Sequence, residues 1–268
     1  GIFGTKGIAQ EVAILQEANR ASISPKLLYA SSETGLIIME KIENILPAEF
    51  SPGLITASDD LVEQLLQHVR RLQSLTIDQA CVTDRNDRFH LQKGVKVADM
   101  ASLPKATQTM LEECLAWPVE TEKVLNHNDL HTRNLLYDGK KLFIIDWECA
   151  GWGPRDADVA AICNGQVMTR EAGLAFYARY LQRSPTAEEA MRFTRLRVMN
   201  AATNGMHGYV HYKPGAKNPL AHLQRPSCIE TVRNMILYLD RGKIDIKDDD
   251  ALQACGLAWL QYAVYLNS

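Results

Sequence analysis

Asp138-Gly139 lies between two short apolar runs, Leu135-Leu136-Tyr137 and Leu142-Phe143-Ile144-Ile145, and constrains this chain more than any other pair of residues. An Asp-Gly pair flanked in this way is a strong local signal for a tight β-hairpin, because such turns need residues that tolerate positive φ. A hairpin folded there returns the chain on itself. Asn134, before the first strand, and Asp146, after the second, then come to the same end of the two strands. An amide oxygen and a carboxylate held together suit Mg²⁺, a hard cation that takes oxygen ligands and leaves other positions to water and substrate phosphates. Asp129 lies one loop earlier, close enough to orient a hydroxyl.

Taken singly, an Asp or Asn in a loop is an ordinary turn residue, since these side chains hydrogen-bond their own backbone. The weight comes from their order and from the strand-turn-strand context. His127-Asn128-Asp129 with Asn134, and Ile145-Asp146-Trp147-Glu148, resemble the H-x-D-x-x-x-x-N and I-D-[FWY]-E signatures of the aminoglycoside phosphotransferase and choline kinase superfamily, relatives of the protein kinases. The His-Asn-Asp-Leu form is most similar to choline and ethanolamine kinases. Asp146-Trp147-Glu148 followed by Ala150-Gly151 also resembles bacterial thiamine kinases. The resemblance implies an α+β, protein-kinase-like, two-lobed fold with a mainly helical C-terminal lobe. It implies that Asp129 is the catalytic base, that Asn134 and Asp146 hold Mg²⁺, and that His127 braces the loop. Asp158, in Asp158-Val159-Ala160, is implied to sit buried under the catalytic loop as structural support, with Asp156 the second candidate for that place.

Residues 8–21 carry Ile8, Val12, Leu15 and Ala18 at helical spacing, and Ser24-Pro25 ends the element. Leu27-Leu28-Tyr29 and residues 35–40 read as two strands. By the resemblance, Glu11 is the helix Glu that pairs with a strand Lys or Arg, although a solvated Glu is its plain alternative. Met39, Glu40, Lys41 and Ile42 match the strand end and hinge whose backbone would hold adenine. Residues 1–43 are then an N-terminal lobe and 44–268 a C-terminal lobe. That N-terminal lobe is incomplete: Gly1-Ile2-Phe3-Gly4-Thr5-Lys6-Gly7 is too weak a glycine pattern for a phosphate loop, so the loop and its Lys or Arg strand are expected upstream of residue 1.

At 268 residues and 46% hydrophobic, the chain can bury a large core or two smaller ones. A net charge of -3 without a basic run gives no footprint for nucleic acid. No apolar run approaches the ~20 residues of a membrane span. The six cysteines lack C-x-x-C spacing and read as reduced, mostly buried thiols, which fits a cytoplasmic protein; Cys149 reads as packing.

After a linker at 44–57, the spacing predicts helices over 59–75 and 105–117, separated by a surface excursion at 76–105 that includes His90. Gly151-Trp152-Gly153-Pro154 reads as a turn. Further helices are expected at 169–182, from the capping box at Thr186 to Asn204, at 227–241 and at 249–266; the glycine-rich stretch 205–214 predicts no element.

These readings converge on an ATP- and Mg²⁺-dependent kinase acting on a small, choline-like or thiamine-like alcohol. A cationic acceptor would be met by aromatic faces and carboxylates. Trp147, Glu148, Trp152 and Tyr209 are candidates, with Tyr212, Trp259 and Tyr262 as further aromatics; helically spaced aromatics are core elements in the plain reading, and Glu148 is equally well a salt-bridged acid. Two features depart from the choline kinase pattern: residues 196–212 contain no Trp, and Arg133 stands where a small residue is usual before the Asn. The alternatives are an aminoglycoside phosphotransferase, for which no acidic acceptor cluster stands out beyond 247–250, and a nucleotide-binding pseudokinase.

Overall fold

The computed structural model describes residues 4–46, 59–78, 82–84, 87–118, 122–210, 218–244 and 248–268. In chain order the elements are α1 (Gly4–Arg20), β1 (Leu27–Ala30), β2 (Ile37–Met39), α2 (Asp59–Gln73), α3 (Asp87–Val97), α4 (Lys105–Ala116), β3 (Lys123–Asn126), β4 (Leu135–Tyr137) and β5 (Leu142–Ile144). They continue with β6 (Gly151–Pro154), α5 (Ala157–Gly165), α6 (Arg170–Leu181), α7 (Ala187–Tyr209), α8 (Cys228–Asp240) and α9 (Asp249–Asn267). The chain packs as two compact units, one of residues 1–85 and 120–162, the other of residues 86–119 and 163–268.

Among the described residues of the first unit, three two-stranded antiparallel sheets pair β1 with β2, β3 with β6, and β4 with β5. The Asp138-Gly139 turn closes the β4–β5 hairpin, with Gly139 at φ 99° and Asp138 Oδ1 accepting from the amides of Lys140 and Lys141 at 2.8 Å each. Gly151-Trp152-Gly153-Pro154, expected as a turn, is strand β6: it pairs with β3 in the register Leu125 to Trp152. Its terminal Pro is tolerated because the strand ends there. Helix α2 buries Leu61, Leu65, Leu66, Val69 and Leu72 on one face, as i, i+4, i+8 spacing requires. From that face His68 Nε2 donates to Leu142 O (2.7 Å), and Gln64 Oε1 accepts from Leu142 N (2.9 Å), so side chains supply the partners that a third strand would give β5.

The second unit is helical, with one apolar core that includes Leu91, Leu111, Val198, Met206, Leu260 and Leu266. Residues 76–105 are not a bare surface excursion. They contain α3 and a 3-10 turn at Met100–Ser102, because Leu91 and Leu103 are core residues and Gly94 lets the helix approach Met206 of α7. Likewise α7 runs on through Gly205 and Gly208, part of the stretch where the sequence predicted no element; Tyr212 and the rest of 211–217 lie outside the described residues. These glycines belong to a helix–helix contact with Gly256 of α9: a Cβ on Gly208 would lie 2.4 Å from Leu252 O, and one on Gly256 would lie 2.6 Å from Gly205 O. Tertiary contact overrides the low helix propensity of glycine here. Arg197, buried in the same unit, donates to Asn164 Oδ1, Thr169 O, Met168 O and the Tyr262 hydroxyl (2.6–3.1 Å), tying α5, α6, α7 and α9 together.

Among the described residues no helix is long and apolar enough to cross a membrane. The cysteines at 114, 149, 163, 228 and 255 are free thiols.

Candidate active site

The loop from His127 to Asn134 connects β3 to β4, and its path is set by one buried acid. Asp158, in the first turn of α5, accepts the backbone N–H of His127 through Oδ2 and that of Asn128 through Oδ1, both at 2.8 Å. Asp156 is also buried. Asn128 sits at φ 63°, a left-handed conformation that Asn enters more readily than most residues. Its side-chain amide donates to Cys149 O (3.3 Å) and Gly151 O (3.2 Å), which seats the loop on β6.

His127 is fully buried against Trp147, ring edge to ring face at 4.9 Å between centroids, and its Nε2–H donates to Ile145 O (2.9 Å). Burial pushes its imidazole down to about 4, so the ring is neutral at pH 7. Trp147 is itself buried, with its indole N–H donating to Ile144 O at 3.2 Å. Together these two side chains hold the end of β5, where Asp146 adopts φ 67° and ψ 68°.

Asp129 projects from this loop. Its Oδ2 accepts from Asn134 Nδ2 at 3.2 Å, and its backbone O accepts from the same amide at 2.9 Å. Its Oδ1 stands 3.6 Å from His131 Nε2. Partial burial raises the Asp129 carboxyl above its ordinary range; His131 and Asn134 oppose the shift, Asp146 adds to it, and Arg133 opposes it. A carboxylate raised in this way is, when ionised, a better proton acceptor than a free one. Asn134 is buried, with its amide nitrogen turned toward Asp129, and Asn134 O accepts from Ile145 N at 3.0 Å. The hairpin thus brings positions 134 and 146 together, as the Asp-Gly turn predicted.

Glu11 reaches the same neighbourhood from α1. Its carboxyl is raised by burial and by the charges of Glu148 and Asp146. The helix is fixed by Gln10, whose Nε2 donates to Ala150 O (2.6 Å) and whose Oε1 accepts from Thr83 N and Oγ1 (3.0 and 2.9 Å). Among the described residues no group of three His, Cys, Asp or Glu side chains has the geometry to hold a metal. One amide oxygen and one carboxylate nevertheless match the donor set of an ion that takes its remaining ligands from phosphate and water.

The other candidates lie as follows. Met39 pairs with Leu27 at the end of β2, Glu40 N–H donates to Lys26 O (2.8 Å), and Ile42 follows half-buried. Trp152 is half-buried in β6, and its buried indole N–H has no partner among the described residues. Tyr209 belongs to the helical unit, where it is buried, donates to Asp99 O (3.2 Å) and meets Ser102 Oγ. Trp259 and Tyr262 stack edge to face at 5.8 Å, with Tyr262 fully buried. The sequence reading passed over His131 and Gln10. For His131 the available signal was its place two residues after Asp129, where the turn His131 N to Asp129 O (3.1 Å) folds it back on the carboxylate.

The protein resembles several solved structures. A choline/ethanolamine kinase family protein from Mesorhizobium loti matches with TM-score 0.62 and 16% identity, over 94% of this chain and 84% of that one. Choline kinase LicA from Streptococcus pneumoniae matches with TM-score 0.56 and 13% identity, over 88% and 81%. The GDP complex of aminoglycoside 2'-phosphotransferase-IIIa matches with TM-score 0.59 and 14% identity, over 90% and 84%. These likenesses establish the protein-kinase-like α+β fold. No curated protein matches the chain. The model of the phosphotransferase enzyme family, APH, matches residues 5–194, which contain the whole constellation around Asp129, and the chain belongs to that family.

Proposed function

We propose that the protein transfers the γ-phosphoryl group of ATP to the hydroxyl of a small alcohol, choline-like or thiamine-like, in a Mg²⁺-dependent reaction. The observation that carries this reading is the Asp129 carboxylate, raised by burial, held by Asn134 and set on a loop that Asp158 pins by two backbone amides. Asp129 orients the acceptor hydroxyl and takes its proton as the oxygen attacks the γ-phosphorus, and ADP leaves. Asn134 and Asp146 supply the oxygen ligands for Mg²⁺, which neutralises phosphate charge when bound. Glu11 and the backbone at Met39, Glu40 and Ile42 serve the nucleotide, with residues 1–43 as its lobe. Glu148 and Trp152 face the acceptor; Trp147 and Tyr209 act by packing.

The names of the similar structures support this reading. One is a choline kinase and another a choline/ethanolamine kinase family protein. Others were solved with GDP, with AMP, or with AMP-PNP and Ca²⁺. A second reading, aminoglycoside phosphorylation, is favoured by the match to aminoglycoside 2'-phosphotransferase-IIIa. The test is ATP consumption by wild type and Asp129→Asn across choline, ethanolamine, thiamine and aminoglycosides. One acceptor should be turned over by wild type, and kcat should fall about 10²- to 10⁴-fold in the variant while its fold persists. Wild-type turnover by Asp129→Asn would reject Asp129 as the base, and an aminoglycoside as the sole substrate would replace the acceptor assignment.

A further inference from the structure

Asp129 is flanked on both carboxylate oxygens, and only one flank is a member of the motif. Oδ2 is held by Asn134 Nδ2 at 3.2 Å. Oδ1 looks toward His131 Nε2 at 3.6 Å, too long for a hydrogen bond in this state but short enough to close by a small rotation. The backbone favours that approach, since His131 N–H donates to Asp129 O at 3.1 Å and Asn134 N–H donates to His131 O at 3.0 Å. The remaining ring nitrogen, His131 Nδ1, is buried without a partner among the described residues. A ring held in a turn with one nitrogen unspent and the other aimed at the base is not explained by packing alone, because 36% of its side-chain surface is exposed.

We propose that His131 is a positioning residue for the reaction: its Nε2–H donates to Asp129 Oδ1 in the substrate-bound state and fixes the carboxylate plane between His131 and Asn134. The proposal rests on Asp129 being the base. Catalytic hydrogen bonds are often long before substrate binds and tighten in the reactive complex, so the 3.6 Å separation describes the resting site. Burial holds the imidazole below its ordinary value, so the neutral ring offers one N–H and one acceptor. With the proton on Nε2, the buried Nδ1 is the acceptor. A free Asp129 carboxylate would rotate about χ2, and the hydroxyl would meet the base in a correct geometry only part of the time.

The experiment compares His131→Leu, which removes the donor at similar size, with His131→Gln, whose amide N–H reaches the same place. Steady-state kinetics are measured with ATP and with whichever acceptor the wild type uses, alongside thermal melting. His131→Leu should lose about 10- to 100-fold in kcat with both KM values within about twofold, and His131→Gln should recover most of the loss. Unchanged kcat in His131→Leu overturns the proposal. So does an equal loss in both variants accompanied by a matching fall in melting temperature, which would make His131 a folding residue. A wild type that phosphorylates nothing in the panel rejects the phosphotransfer reading itself, a different result from an active wild type that is indifferent to residue 131.

Discussion

Asp158→Asn is the sharpest test of how the catalytic loop is held. The wild-type carboxylate accepts two backbone N–H groups, from His127 and Asn128, at 2.8 Å each, and Asp158 has no exposed surface. An amide at this position keeps one acceptor oxygen and turns an NH₂ toward the second backbone N–H. One charge-assisted bond, worth about 1.5–3 kcal/mol, is lost, and a buried donor is left facing another donor at a further ~1–3 kcal/mol. The sum, about 2.5–6 kcal/mol, is a large fraction of a typical total stability of ~5–15 kcal/mol. Urea unfolding followed by circular dichroism at pH 7 should show a lower midpoint and an unchanged slope. Turnover measured well below the melting temperature should also fall, because Asp129 lies two residues beyond His127. A stability change under about 1 kcal/mol, or a destabilised variant with full kcat, would refute the view that this acid sets the loop.

Two further outcomes follow from the packing and the buried histidine. In Gly208→Ala, the new methyl would lie 2.4 Å from Leu252 O and 3.0 Å from the Gly256 backbone, so two helices must separate. The gain of about 1 kcal/mol in helix propensity is outweighed by overpacking against backbone that cannot step aside, and a net loss of ~1–2 kcal/mol is expected in chemical denaturation. Gly165→Ala, with nothing within 4 Å of the added carbon, should be neutral or stabilising and serves as the control. For His127, the folded imidazole is pushed by burial to about 4, below the ordinary 6.5 of the unfolded chain. The unfolded state therefore binds the extra proton, and stability falls as pH drops from 6.5 toward 4, by an amount on the order of 3 kcal/mol for this group. His127→Gln should flatten that part of the stability–pH curve relative to wild type, and equal slopes in the two proteins would refute the attribution.

The sequence made the hairpin legible because its signals are local. Asp138-Gly139, two apolar runs and the flanking Asn134 and Asp146 all lie within thirteen residues of one another, and the structure closes them as expected. The helices at 59–73, 170–181 and 249–267 were legible for the same reason, their apolar faces repeating at helical spacing. Two segments misled. Glycines at 205 and 208 looked like a break in helix, and only the path of Gly256 in a distant helix explains them. Glycines at 151 and 153 looked like a turn, and only the pairing with β3 makes them strand. In both cases the deciding partner lies far along the chain, where a local pattern carries no information.

The same reasoning explains why the support of the site was harder to read than the site itself. The three sheets of the first unit have strands of only three or four residues, and a ladder that short is marginal by itself. In the proposed reading the site must nonetheless hold Asp129, Asn134 and Asp146 in fixed register. Polar side chains supply the missing order. Gln10 bonds Ala150 and Thr83, Gln64 and His68 bond the two backbone groups of Leu142, Asn128 bonds Cys149 and Gly151, and Asp158 bonds His127 and Asn128. All of these join residues separated by more than twenty positions, and those to Leu142 take the place of strand-to-strand bonds. Side chains of this kind carry no periodic signature, since a Gln or His on a helix reads as solvated until its partner is known. In the proposed reading the chemistry is written in a local motif, while much of the rigidity behind it comes from residues such as Gln10, Gln64 and His68, whose partners appear only in three dimensions.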